Sequence, residues 1–263
     1  MPFEPFTVEA RGAALRGVRR DGEGVPLVLI HGFGASHRDW QDLIDELPPE
    51  LALIAYDQRG FGDSPAPTDA AYSHGEDLLA LLDALELERV DLCGMSLGGA
   101  TALNFALDHP DRVRRLILVS PLMVGWSWSS EWIERWKQIG RAARSGDMAG
   151  ARALWWQHPL FESTRASAAA PVLKASIEAF HGQQWVQDNQ RHAPPDLDRL
   201  DKLAMPTLLL TGGLDTEDFR RIGDAIASCG TGATRIDYAD AGHMLNFEIP
   251  GRIARDIADF LSD

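Results

Sequence analysis

A chain of 263 residues with 45% apolar content is long enough for one large α/β domain or two small ones around a real core. Its 39 acidic residues against 25 basic ones give a net charge of -14, and no dense run of Lys or Arg is present to track phosphates, which argues against nucleic acid and anionic membrane surfaces as partners. The first twenty residues lack the apolar core of a signal peptide and no run reaches the roughly 18 to 20 apolar residues of a membrane span, so a soluble, cytoplasmic protein is expected.

Residues 4–9 and 13–19 read as a short hairpin, and "PLVLIHGFG" (26–34) as a buried strand running into a glycine-broken loop. "RDWQDLIDEL" (38–47) has helical periodicity, "LALIAYD" (51–57) is a strand, "GEDLLALLDALEL" (75–87) a helix and "VDLCGM" (90–95) a strand. A helix over 97–108 and the strand "RRLILVS" (114–120) continue the alternation. Strands separated by helix-length segments imply right-handed crossovers, hence a mostly parallel sheet with helices on both faces.

From Pro121 to about residue 201 the buried-strand runs disappear, and seven of the eight tryptophans fall in this stretch: Trp126, Trp128, Trp132, Trp136, Trp155, Trp156 and Trp185. Pro194, Pro195 and Pro206 mark the return to sheet logic, with the strand "PTLLLTGG" (206–213), a helix near 218–228, the strand "TRIDYAD" (234–240) and a closing helix over 251–261. The expected organisation is an α/β core over 1–121 and 202–263, with a helical lid over 122–201 inserted after the sixth strand. Cys93 and Cys229 show no CxxC spacing and are read as reduced bystanders.

Three segments carry chemistry. "GMSLGG" (94–99) places Ser96 after a strand and before a helix, the context of a G-x-S-x-G nucleophile elbow. Gly94 and Gly98 permit the close approach of strand and helix that such a turn needs, and the helix start favours an oxyanion near the hydroxyl. A serine hydroxyl needs a base, and "DAGHMLNFEIP" supplies His243 just past the last strand, at the edge where ligands bind in open α/β sheets. His31 reads as a structural hydrogen-bonding residue, while His37, His74, His109, His158, His181 and His192 fall in loops, at a helix end or in the insertion. The acid to hold the base is read as Asp215, after the Gly212-Gly213 break; Glu217 and Asp218 are alternatives better suited to capping and dipole roles at the next helix. In "HGFG" (31–34), the amide of Phe33 is placed to form an oxyanion hole with that of Leu97.

Elbow, "HGFG", "DQRGFGDS" (57–64), Asp215 and "AGHM", in this order, resemble the α/β-hydrolase superfamily over nearly the whole chain. The resemblance implies an α/β-hydrolase fold, and a structural role for Arg59, Gly60, Gly62 and Ser64. Ser96 argues against haloalkane dehalogenases and most epoxide hydrolases, which carry aspartate at that position. The segment 132–156 is similar to the cap of 3-oxoadipate enol-lactonases and related esterases, with a W-x-x-R element before a glycine-bounded helix pair. Carbon–carbon bond hydrolases of aromatic-ring degradation usually show Asn where Met95 stands and "GSGPG" where this chain has "GFGAS".

Trp128, Trp132 and Trp136 recur every four residues and form one helical stripe. The stripe packs the lid onto the core, or some of these rings wall an apolar pocket with Trp155 or Trp156. Arg135 is a candidate cation for a substrate carboxylate, or a solvated residue on the opposite helix face. The expectation is a serine hydrolase that needs no metal or cofactor, acting on a small molecule with an ester or lactone carbonyl, with a homodimer left open. Carbon–carbon bond hydrolysis and a non-catalytic ligand receptor on the same fold are the alternatives.

Overall fold

The computed structural model describes residues 2–65, 71–191, 193–228 and 232–262; Cys229 and His192 lie outside them. Strand β1 (Glu4–Ala10) and strand β2 (Ala13–Arg20) form the expected antiparallel hairpin. Its two-residue turn places both Arg11 (φ 49°) and Gly12 (φ 84°) in the left-handed region, as the right-handed strand twist demands. Strands β3 (Glu23–Ile30), β4 (Leu51–Tyr56), β5 (Val90–Met95), β6 (Val113–Val119), β7 (Thr207–Gly212) and β8 (Thr234–Tyr238) complete an eight-stranded sheet in the order β1-β2-β4-β3-β5-β6-β7-β8. Among the described residues only the β1-β2 and β2-β4 pairings are antiparallel. The four central parallel strands β3, β5, β6 and β7 read as apolar runs because helices cover both faces of the sheet.

Strand order reverses between β3 and β5, so their carboxyl ends form the crevice where open α/β sheets bind ligands. Helix α1 (Gln41–Glu46) follows a short 3-10 turn over His37–Trp40, so the periodic stretch 38–47 is two elements, stopped before Pro48 and Pro49. Helix α2 (His74–Ala84) is capped by Ser73 and stops short of the predicted residue 87, because Glu86 turns left-handed at φ 55°. Helix α3 (Leu97–Asp108) packs on β5 and β6.

Between Val119 and Thr207 no described residue joins the sheet. This segment holds α4 (Ser130–Arg144), α5 (Met148–Trp156), α6 (Glu162–Arg165), α7 (Ala170–Ala179) and α8 (Gln183–Val186), and an isolated bridge ties its Gln190 to Tyr72. Helices α9 (Glu217–Ser228), α10 (Leu245–Glu248) and α11 (Pro250–Ser262) close the chain, with α11 against α1. Among the described residues no helix is long and apolar enough to cross a membrane.

The loop "DQRGFGDS" is held by hydrogen bonds within the framework. Arg59 forks onto Asp77 at 2.8 and 2.6 Å and onto the carbonyls of Ala10 and Arg11. The Asp57 carboxylate accepts from the amides of His37 and Asp63 at 2.6 and 2.7 Å. A Cβ on Gly62 (φ 50°) would stand 2.3 Å from that carboxylate, which is why glycine occupies the turn.

Candidate active site

Ser96 lies between β5 and α3 with φ 54° and ψ -115°, a conformation that costs a non-glycine residue about 1–3 kcal/mol. The neighbouring glycines explain how the turn is reached. A Cβ on Gly94 would approach the Gly98 carbonyl to 2.2 Å, and one on Gly98 would approach the Ile30 carbonyl to 2.0 Å. The Ser96 amide donates to Val119 (3.0 Å), and its carbonyl accepts from Ala100 (3.1 Å) and Leu122 (2.9 Å), which fixes the strained residue from three sides.

His243 and Asp215 are brought together by a second close backbone approach, where a Cβ on Gly212 would meet the Gly242 carbonyl at 2.0 Å. Amide bonds from Gly213 to Tyr238 (2.8 Å) and from Leu214 to Ala241 (2.9 Å) bind the loop after β7 to the loop after β8. His243 Nδ1 donates to Asp215 Oδ2 at 2.7 Å, with both residues buried. Asp215 Oδ1 accepts from the Thr216 amide at 2.7 Å, so the carboxylate is fixed at both oxygens. Because a carboxylate only accepts, Nδ1 carries the proton and Nε2 presents a lone pair. Nε2 is buried and has no partner among the described residues.

Ser96, Leu97, Phe33 and His243 all border one cavity of about 460 Å³. The amides of Phe33 and Leu97 make no hydrogen bond to any described residue, and Leu97 is the first residue of α3, where the helix dipole favours negative charge. Trp128, Trp132 and Trp155 are on the cavity wall, with Trp136 beside them. Trp128 precedes α4 and yet stacks on Trp132 at 4.4 Å, while Trp132 and Trp136 lie parallel at 6.5 Å, so the stripe survives the helix boundary. Phe33 is the hub of the wall, with Trp136, Phe180 and Phe61 at 5.0, 5.3 and 5.5 Å.

Arg135 does not border this cavity; it pairs with Glu131 one turn back at 2.9 Å and faces a separate cleft between α4 and α9. Asp218 lies where a carboxylate complements the helix dipole, and it makes a further contact. From the first turn of α9 its carboxylate accepts from the Ser129 hydroxyl (2.6 Å) and amide (3.2 Å), and so holds the start of α4. Glu217 is spent on an exposed pair with Arg221 at 2.5 Å. His31 accepts from the Gln58 amide at 3.0 Å, as a structural histidine would.

Several cavity residues carry no sequence signature. Asp39 and Ser176 meet on the wall, with the Ser176 hydroxyl donating to Asp39 Oδ2 at 2.6 Å, and burial pushes the Asp39 carboxyl up to about 6. His74 also borders the cavity, where burial pushes its imidazole down to about 3. Glu248 sits outside it but holds the His243 loop, accepting from the Gly242 amide at 2.7 Å. Among the described residues no group of three or more His, Cys, Asp or Glu is placed to hold a metal ion.

A family model described as alpha/beta hydrolase fold matches residues 25–250. The chain is 43% identical to 2-hydroxymuconate semialdehyde hydrolase of Pseudomonas sp. (strain CF600) over 104 residues, a stretch that spans only 37% of either chain. It is 24% identical to 3-oxoadipate enol-lactonase 1 of Acinetobacter baylyi over 237 residues, covering 89% of this chain and 88% of the other. Among solved structures, a thermophilic esterase from Thermogutta terrifontis superposes with a TM-score of 0.83 at 25% identity, over 100% of this chain and 98% of that one.

Proposed function

This chain belongs to the alpha/beta hydrolase fold family, and from that premise we propose a serine hydrolase that cleaves a carboxylic ester or lactone through an acyl-enzyme. The observation that carries the reading is the arrangement at His243: Nδ1 is committed to Asp215, while Nε2 is free and buried beside the cavity that Ser96 borders. In this reading Ser96 Oγ attacks the substrate carbonyl as its proton passes to Nε2. The amides of Phe33 and Leu97 donate to the developing oxyanion, and the dipole of α3 adds to them. His243 returns the proton to the leaving alkoxide, then takes one from the water that attacks the acyl-enzyme, and Ser96 regains it. Asp215 keeps Nδ1 protonated and stabilises the imidazolium without itself accepting the proton.

Residues 122–201 act as a lid over a core formed by 1–121 and 202–263, and the rings of Trp128, Trp132 and Trp155 form the apolar side of the binding site. A second reading, hydrolysis of a carbon–carbon bond in a ring-cleavage product, is favoured by the 43% identical stretch. One panel separates the two. Wild-type protein and Ser96→Ala are assayed near pH 8 on p-nitrophenyl esters of increasing acyl length, small lactones and 2-hydroxy-6-oxo-2,4-heptadienoate. Ester or lactone turnover that falls by about three or more orders of magnitude in the variant is the expected outcome. Turnover of the dienoate with none of the esters would replace the first reading by the second.

A further inference from the structure

Asp39 is one of two acids on a mostly apolar wall; the other, Asp188, already accepts from the Tyr72 hydroxyl at 2.8 Å and the Gln190 amide at 3.0 Å. The cavity is bordered by Phe33, Leu122, Trp155 and Ile177, and among the described lining residues the only Lys or Arg is Lys137, which is exposed. No cation pairs with Asp39 among the described residues. The nearby His37 ring is bonded to Asp57 Oδ1 at 2.9 Å, and Asp57 itself repels a charge on Asp39. From the helical segment the partner is the neutral Ser176 hydroxyl, and Asn246 donates to the Asp39 carbonyl at 2.8 Å, holding the backbone in place. The carboxyl is therefore fixed by core and lid together, and none of the groups that fix it is a cation.

We propose that Asp39 sets the substrate class: esters or lactones whose reacting carbonyl is joined to an arm ending in a hydrogen-bond donor, a hydroxyl or an ammonium, and not in a carboxylate. The inference rests on the hydrolase reading above and adds its specificity. A carboxylate accepts hydrogen bonds and donates none, so a hydroxyl or ammonium arm is held by Asp39. A carboxylate arm meets a like charge in a poorly solvated site with no guanidinium to neutralise it, an arrangement that costs about tenfold or more in affinity.

The test compares methyl 6-hydroxyhexanoate with monomethyl adipate, two esters of similar length and opposite arm chemistry. Their binding to Ser96→Ala is read by fluorescence of the tryptophans on the cavity wall, and their hydrolysis by the wild type and by Asp39→Asn. The expected result is tighter binding of the hydroxy ester to Ser96→Ala by about tenfold or more. The kcat/KM ratio should have the same sense in the wild type and collapse to within about threefold of unity in Asp39→Asn. A wild type that cleaves monomethyl adipate as well as the hydroxy ester overturns the inference without any Asp39 variant, and leaves the hydrolase reading standing. Preferential binding without hydrolysis of either ester upholds the inference and removes the ester reading. Failure of both esters to bind overturns it.

Discussion

At residue scale the site divides into groups whose type and spacing announce them and groups known only by what they touch. Ser96, His243 and Asp215 were legible because each follows a strand end with a glycine one or two residues before it, and close backbone approaches at Gly94, Gly98 and Gly212 explain those glycines. Glu248 was not legible, since a glutamate near a helix end is commonplace. Its Oε2 accepts from the Gly242 amide and the Ser163 hydroxyl, and its Oε1 from the Thr164 hydroxyl, at 2.7, 2.6 and 2.6 Å. It thus ties the residue before His243 to α6, and is a positioning residue. Glu248→Ala leaves three donors without their acceptor, which costs about 1–3 kcal/mol. We expect a lower urea midpoint and a fall in kcat larger than any rise in KM, with Glu248→Gln restoring part of both. A kcat loss that Gln does not recover at all would mean that the carboxylate charge matters, not its hold on Gly242.

At element scale the parallel strands were legible, as were the helical character of the segment between β6 and β7 and its helix pair over 132–156, but the shorter helices that follow were not. A strand buried on both faces must be a short apolar run, whereas α6 and α8 have four residues each, too short for any periodicity. The missing information is how these helices dock. Asp218 answers it for the front of α4, taking the hydroxyl and amide of Ser129, whose Oγ in turn caps the Trp132 amide at 3.2 Å. The Trp128 and Trp132 rings that this contact steadies pack on Phe219 at 5.5 and 5.6 Å, and Phe219 packs on His243 at 4.3 Å. Loss of the contact in Asp218→Ala should therefore loosen the tryptophan wall, raising KM for long-chain esters severalfold and weakening the near-UV circular dichroism. Acetate esters, too short to use that wall, should be affected less. Equal effects on short and long acyl chains would show that Asp218 serves the fold alone.

At the scale of the whole molecule, composition announces a large acidic excess, but the response to acid is set by groups whose burial only the fold reveals. His31, His74 and His158 are all buried, and burial lowers each imidazole, His74 to about 3 and His158 to about 4. His74 and His158 stay neutral in the folded chain at pH 5 while the unfolded chain takes up a proton below about 6.5, so their contribution is present at neutral pH and lost as pH falls, and the lowering of His31 acts in the same direction. Between pH 7 and pH 5 a histidine held neutral in this way loses about 2 kcal/mol at most. Asp39 works in the opposite sense. Its carboxyl is raised, so its stabilising contribution is complete below the unfolded value of 3.8 and is lost as pH rises through about 6. Acidification to pH 5 therefore returns about 1 kcal/mol from Asp39, and protonation of surface acids also relieves part of the self-repulsion at a net charge of -14. The histidines outweigh these returns, so the urea midpoint should fall from pH 7 to pH 5, and His74→Asn should flatten that slope. A midpoint that holds or rises on acidification would mean that the unfolded chain gains no more protons than the folded one, contrary to His74 and His158 kept neutral by burial.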